Sequence, residues 1–138
     1  MVSKFGLPSL FITMTCNPQC PEIKENLGKY GHASYRPDLV ATVFMGKVKH
    51  LIWLLIQARY FGEALAYLYA IEFQKRGLPH VHLILWLAMG QAFLTQEAID
   101  AVITAEFPQG DSAEDEELRQ LMVQLVVHNK CENDPTAK

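Results

Sequence analysis

Two histidines spaced two apart and a carboxylate shortly before them are the residues whose types and spacing could do chemistry. They lie in EFQKRGLPHVHLILWL, Glu72 to Leu87. Side chains alternate along an extended strand, so His80, His82, Ile84 and Trp86 share one face, and Val81, Leu83, Leu85 and Leu87 share the other. The second set is a core-facing row, which leaves two imidazoles side by side on the opposite face. Lys75-Arg76-Gly77-Leu78-Pro79 has the composition of a hairpin loop. A loop over those residues pairs Gln74 with His80 and puts Glu72 across from His82, on the same face, at the roughly 5 Å spacing of neighbouring strands. A slip of one residue would send Glu72 to the far face. A Glu-His-His set suits a divalent cation, Mg²⁺ or Mn²⁺ ahead of Zn²⁺. With open coordination positions, such an ion polarises a phosphate and stabilises a leaving oxygen. His-x-His in a strand also occurs without metal. A cupin-like site is a competing account, but it expects a Glu a few residues beyond the second His, and Leu83 to Leu87 contains no carboxylate.

Several elements must position these residues. SLFITMT, Ser9 to Thr15, reads as a strand ended by the turn signal Asn17-Pro18. Pro21 to Tyr35 reads as a loop with a short helical turn. Pro37 fits the first turn of a helix, and Leu39, Val40, Val43, Phe44, Val48, Leu51, Ile52 and Leu55 recur at three- and four-residue spacing. This predicts a long amphipathic helix over about Arg36 to Arg59, with Lys47 and Lys49 off its apolar stripe. After Gly62 come two strands, Ala66 to Gln74 and His80 to Leu87, as antiparallel neighbours. Thr95 caps a helix to about Glu106. Ser112, with Asp115 three residues on, caps another to about His128 whose buried face is Leu118, Leu121, Met122, Leu125 and Val126. A disordered tail is expected over about 129–138. Together these make one α+β domain over residues 1–138, with an antiparallel sheet and its helices on one face.

Composition bounds the partners. The 138 residues are half hydrophobic and a fifth charged, a globular balance. The net charge of −3 hides an asymmetry: residues 1–96 carry nine Lys/Arg against five Asp/Glu, and residues 97–138 three against ten. A phosphate-binding surface therefore belongs to the first part, with Lys75, Arg76, Lys47, Lys49 and Arg59 as candidates and Trp86 as a base-stacking residue or a cover for the sheet. The stretch Leu51 to Ile71 is interrupted by Gln57, Arg59, Gly62 and Glu63, so no membrane partner and a soluble protein are expected. Cys16, Cys20 and Cys131 form no even set and read as free thiols in a reducing, intracellular compartment.

IEFQKRGLPHVHLILWL, Ile71 to Leu87, closely resembles the replication-initiator (Rep) segment of Helitron transposases that carries the His-hydrophobic-His motif of HUH endonucleases. FITMTCNP, Phe11 to Pro18, resembles the family's first motif. RPDLVATVFMGKVKHL, Arg36 to Leu51, resembles the helix after it, and DAVITAEFP, Asp100 to Pro108, continues the likeness. The resemblance implies a ferredoxin-like or RRM-like core, His80 and His82 as metal ligands with Glu72 as the third, single-stranded DNA as substrate, and a nuclear location. It also implies transesterification: a tyrosine hydroxyl attacks a DNA phosphodiester, giving a 5′-phosphotyrosine link and a free 3′-OH. The remainder of a transposase, helicase included, is the implied partner in a full-length protein.

The departures matter as well. The family's paired Tyr-x-x-x-Tyr motif lies well downstream of the histidines, whereas Tyr30, Tyr35, Tyr60, Tyr67 and Tyr69 never show that spacing. Tyr67 and Tyr69 alternate away from Glu72, toward the expected core, so no nucleophile is nominated and the chain reads as truncated at its C-terminus. His128-Asn129-Lys130-Cys131 stands where the family has His-Gly-Pro-Cys, and Cys20 where an aromatic residue is common. Three functions compete: a nicking domain inactive by itself, a truncated or domesticated remnant that binds single-stranded nucleic acid or a protein, and an unstable fragment with no activity.

Overall fold

A computed structural model describes residues 2–73, 77–88, 95–100, 102–103 and 106–126. Lys75 and Arg76, Cys131 and the expected tail over 129–138 lie outside these residues. Internal contacts divide the chain into two units, Met1–Leu94 and Thr95–Lys138.

The first unit carries the candidate site. After a short helix α1 (Val2–Phe5) come β1 (Leu10–Thr15), a one-turn helix α2 (Pro21–Lys24), two 3₁₀ turns (Gly28–Tyr30 and Ala33–Tyr35), the long helix α3 (Pro37–Ile56), and the hairpin strands β2 (Ala64–Phe73) and β3 (Pro79–Leu87). The sheet order is β1-β3-β2, with β3 antiparallel to both neighbours. β1 and β2 therefore run parallel, joined by a helix and split by the returning strand, a β-α-β-β unit. The architecture is α+β, as the sequence pattern indicates.

α3 starts at Pro37, whose missing N–H costs nothing in a first turn. By length and composition alone it could cross a membrane. Here Val40, Phe44, Val48 and Leu55 are buried, and they belong to the same clusters as Val81, Leu83, Leu85 and Leu87 of β3. Cys16, Ile23 and Ala33 close one end of that core, and Leu10 joins the other. The core row expected on β3 is thus the row that α3 covers. Among the described residues of the first unit, the opposite face is covered at its far end, where Trp86 is 3% exposed, its ring 6.4 Å from Phe5 and its indole N–H donating to the Gly6 carbonyl at 3.0 Å. Trp86 covers the sheet and is not available to stack on bases.

Two sequence expectations change here. The hairpin closes on a Phe73–Pro79 pair, so Glu72 faces His80 and Ala70 faces His82, two positions from the expected register. Pro79 is the reason: it needs no N–H at the first position of a strand, so it joins β3, and its carbonyl accepts from the Cys16 amide at 3.0 Å. Because the shift is even, Glu72 keeps its face. Tyr67 and Tyr69 do lie on the α3 side, opposite Leu85 and Leu83, yet they are 39% and 40% exposed. α3 packs over the central strand and leaves the β2 edge uncovered.

In the second unit, α4 spans Gln96–Asp100, with the Thr95 hydroxyl accepting from the Ala98 amide, and is shorter than the helix to Glu106 that the sequence suggests. α5 (Ala113–Leu125) starts with the expected capping box between Ser112 and Asp115. Its apolar face is not buried: Leu118, Leu121 and Val126 are 47%, 44% and 73% exposed.

Candidate functional site

The site is built on the face of the sheet away from α3. β3 contributes His80 and His82, β2 contributes Glu72, and β1, on the other side of β3, contributes Phe11, Thr13 and Thr15. Thr15 stands directly opposite His80, and Thr13 opposite His82. Three strands thus converge on two imidazoles, and each ring is held by a neighbour.

The Thr15 hydroxyl lies 2.5 Å from Nδ1 of His80. If Nδ1 carries the proton and donates it to this oxygen, the lone pair of Nε2 is left for a ligand, the usual way in which a hydrogen bond selects the tautomer of a metal-binding imidazole. His82 is gripped differently. Phe11 stacks on it with centroids 5.6 Å apart and planes 12° from parallel, and Nε2 lies 3.5 Å from Oε2 of Glu72. Its Nδ1 is buried and has no hydrogen-bond partner. The two imidazoles meet edge to face with centroids 4.5 Å apart.

As these side chains stand, no three His, Cys, Asp or Glu groups among the described residues are gathered around a common point. The donor set nevertheless suits a divalent ion. Two imidazoles adjoin, one hydrogen-bonded to Thr15, and the Glu72 carboxylate already reaches His82. The Glu72 side chain is 68% exposed, so it can swing toward an ion without disturbing the core. The three residues singled out from the sequence are therefore brought together on one face.

Two of the basic candidates, Lys47 and Lys49, are not brought there. Lys47 and Lys49 lie on α3, the layer across the sheet. Lys47 donates to Glu22 at 2.7 Å, a contact that pulls the Glu22 carboxyl down to about 2 and raises the lysine. Among the described residues, no strand residue is Lys or Arg. Cys16 and Cys20 are free thiols, and burial raises the pKa of Cys16, so it is a core residue and not a reactive one.

Thr15 and Phe11 are functional candidates that sequence reasoning passed over. Their alternation along β1 was available, but their contacts with β3 join distant residues, Thr15 to His80 across 65 positions, and no local pattern reports that.

An α+β domain of this topology, with Glu72, His80 and His82 on an open sheet face, defines a class that the family comparison makes specific. Residues 1–85 match the Helitron helicase-like domain at the N-terminus, and the chain belongs to that family. The match runs from α1 into β3 and includes all three site residues. No curated protein matches the chain.

Proposed function

We propose that this Helitron-related chain provides the cation-binding face of an HUH-type nuclease domain, which nicks single-stranded DNA and transfers the cut strand during rolling-circle transposition. The observation that carries this reading is the convergence of Glu72, His80 and His82 on the sheet face that α3 leaves open, with the Glu72 carboxylate 3.5 Å from His82. His80, through Nε2, with His82 and Glu72 would hold a divalent cation, Mg²⁺ or Mn²⁺. Bound there, the cation would supply Lewis-acid stabilisation to a scissile phosphate.

The protein's own groups do the positioning. Thr15 orients His80, Phe11 and the β1 backbone hold His82, and Glu72 lends negative charge that favours a cation over a bare imidazole pair. Phe11, 64% exposed, offers a ring beside the site on which a base of a single strand can stack. No residue of the described strands is basic, so attraction for phosphate on this face would rest on the cation, with Lys75 and Arg76, which lie between β2 and β3 in the sequence, as further candidates. The nicking step is a transesterification in which a tyrosine hydroxyl gives up its proton, a tyrosine oxygen–phosphorus bond forms, the phosphorus–3′-oxygen bond breaks, and the 3′-oxygen takes a proton; strand transfer is the reverse attack, by a 3′-hydroxyl on that phosphotyrosine. None of the five tyrosines in this sequence is assigned as that nucleophile.

Calorimetric titration with Mn²⁺ tests the reading. The wild type is expected to bind one ion, and His82→Ala to lose binding while keeping its fold. Equal binding by both removes the cation site, and salt-dependent oligonucleotide binding unchanged by chelator would favour a protein that only binds nucleic acid.

A further inference from the structure

A cavity of about 220 Å³ lies where the loop between β1 and α3 meets the start of β3, and none of the cation-site residues lines it. Buried Val40 and Ala33, the rings of Pro18 and Pro37, and Leu78 make its lining mostly apolar. None of the described residues that line it is Asp, Glu, Lys or Arg, so they offer no charge partner to a phosphate or a carboxylate. Drug-sized ligands occupy roughly 300–1,000 Å³. This smaller space suits a single uncharged ring system.

His32 and Ser34 supply the polar part of the lining, and their mutual hydrogen bonds fix what each can offer. The Ser34 amide donates to Nδ1 of His32 at 3.3 Å, and the Ser34 hydroxyl lies 2.8 Å from the same nitrogen. A backbone amide can only donate, so Nδ1 is an acceptor and the ring proton sits on Nε2. The hydroxyl then gives its own proton to Nδ1 and keeps its lone pairs free. Tyr35 meets the imidazole edge to face, with centroids 6.3 Å apart, and so helps to hold the ring. One donor, Nε2–H of His32, and one acceptor, Oγ of Ser34, therefore stand side by side among apolar walls. The matching ligand is flat and uncharged, with an acceptor and a donor adjacent on its edge, and a nucleobase has that form.

We propose that this cavity takes one unstacked base of the single strand whose phosphate the cation would hold, an inference that rests on the proposed function for the identity of the strand. Position supports this occupant. The Cys16 amide donates to the Pro79 carbonyl at 3.0 Å, which ties together the segments that bring Pro18 and Leu78 to the cavity. The next pair along the same two strands is Thr15 and His80. The cavity thus lies at the end of the sheet that carries His80, beside the site and not across the molecule from it. Single strands are read by splaying a base out and bonding its edge, whereas contacts to phosphate carry no sequence information. The His32–Ser34 pair would accordingly give the protein a base preference that the cation cannot give.

Nuclear magnetic resonance of the full chain tests this, with chelator present and each of the four 2′-deoxynucleosides as probe. At least one nucleoside should shift the His32 ring and Val40 methyl signals saturably, and 2-deoxyribose alone should not. Ser34→Ala and His32→Ala, both at exposed positions, should each weaken that nucleoside by about three- to ten-fold, as for loss of one hydrogen bond. Both should bind Mn²⁺ as the wild type does, whereas His82→Ala should keep the nucleoside shifts while losing Mn²⁺. The two readings can therefore fail separately. No saturable shift from any nucleoside, an equal shift from 2-deoxyribose, or undiminished affinity in both Ser34→Ala and His32→Ala would each overturn the proposal.

Discussion

The two faces of β3 are made by alternate residues of one strand and have opposite properties. Val81, Leu83 and Leu85 are at most 1% exposed against α3, whereas His80, His82 and Ile84 are only half-buried on the other side. The apolar face holds the strand in place through burial, and that frees the polar face to carry groups that contribute little to stability. A site on such a face can be altered without unfolding its platform.

Substitutions on the two faces should separate stability from binding. Leu83→Ala removes a fully buried side chain and should cost about 2–5 kcal/mol in urea unfolding. His82→Ala should change stability far less while abolishing Mn²⁺ binding in calorimetry. An equal loss of stability from both would erase the distinction between the faces.

Thr15→Val sharpens the comparison within the polar face. Removing the hydroxyl that orients His80 should weaken Mn²⁺ affinity by about 10–100-fold with the fold unchanged, as for other residues that orient a ligand. Unaltered affinity would make the Thr15 contact incidental. In the second unit, Ser112→Ala removes one half of the capping box and should cost about 1 kcal/mol of local helix stability, read as lost helicity.

The smallest effect is expected from the Glu22–Lys47 pair. The Glu22 carboxyl is lowered from 4.5 to about 2 in the fold, chiefly by the hydrogen bond from Lys47. Its contribution is complete above the ordinary carboxylate range and is lost as pH falls through that range toward 2. The pair is exposed and solvent-screened, so Glu22→Gln should flatten an acid-unfolding curve only slightly.

Local pattern made much of this legible. The 3.6-residue period located α3, alternation separated the histidines from the core row, and Ser112 with Asp115 marked a helix start. Pairing partners were less accessible. The β2–β3 register turned on whether Pro79 belonged to the loop or the strand, and the Thr15–His80 contact on the placement of distant strands. Amphipathicity misled at α5, because a 3.6-residue apolar stripe identifies a face that could be buried without naming what buries it. Leu118 and Leu121 of that stripe remain exposed. Tyr67 and Tyr69 misled in the same way: alternation gave their side of the sheet correctly, but not the width of the helix covering it.

The tether between Trp86 and Gly6 has a spectroscopic consequence. The chain has two tryptophans, and Trp53 is 52% exposed while Trp86 is 3% exposed. Iodide should quench the red-shifted emission of Trp53 and spare the bluer emission of Trp86. Detachment of the first few residues would then register as newly quenchable fluorescence, giving the N-terminal segment a reporter that needs no added label.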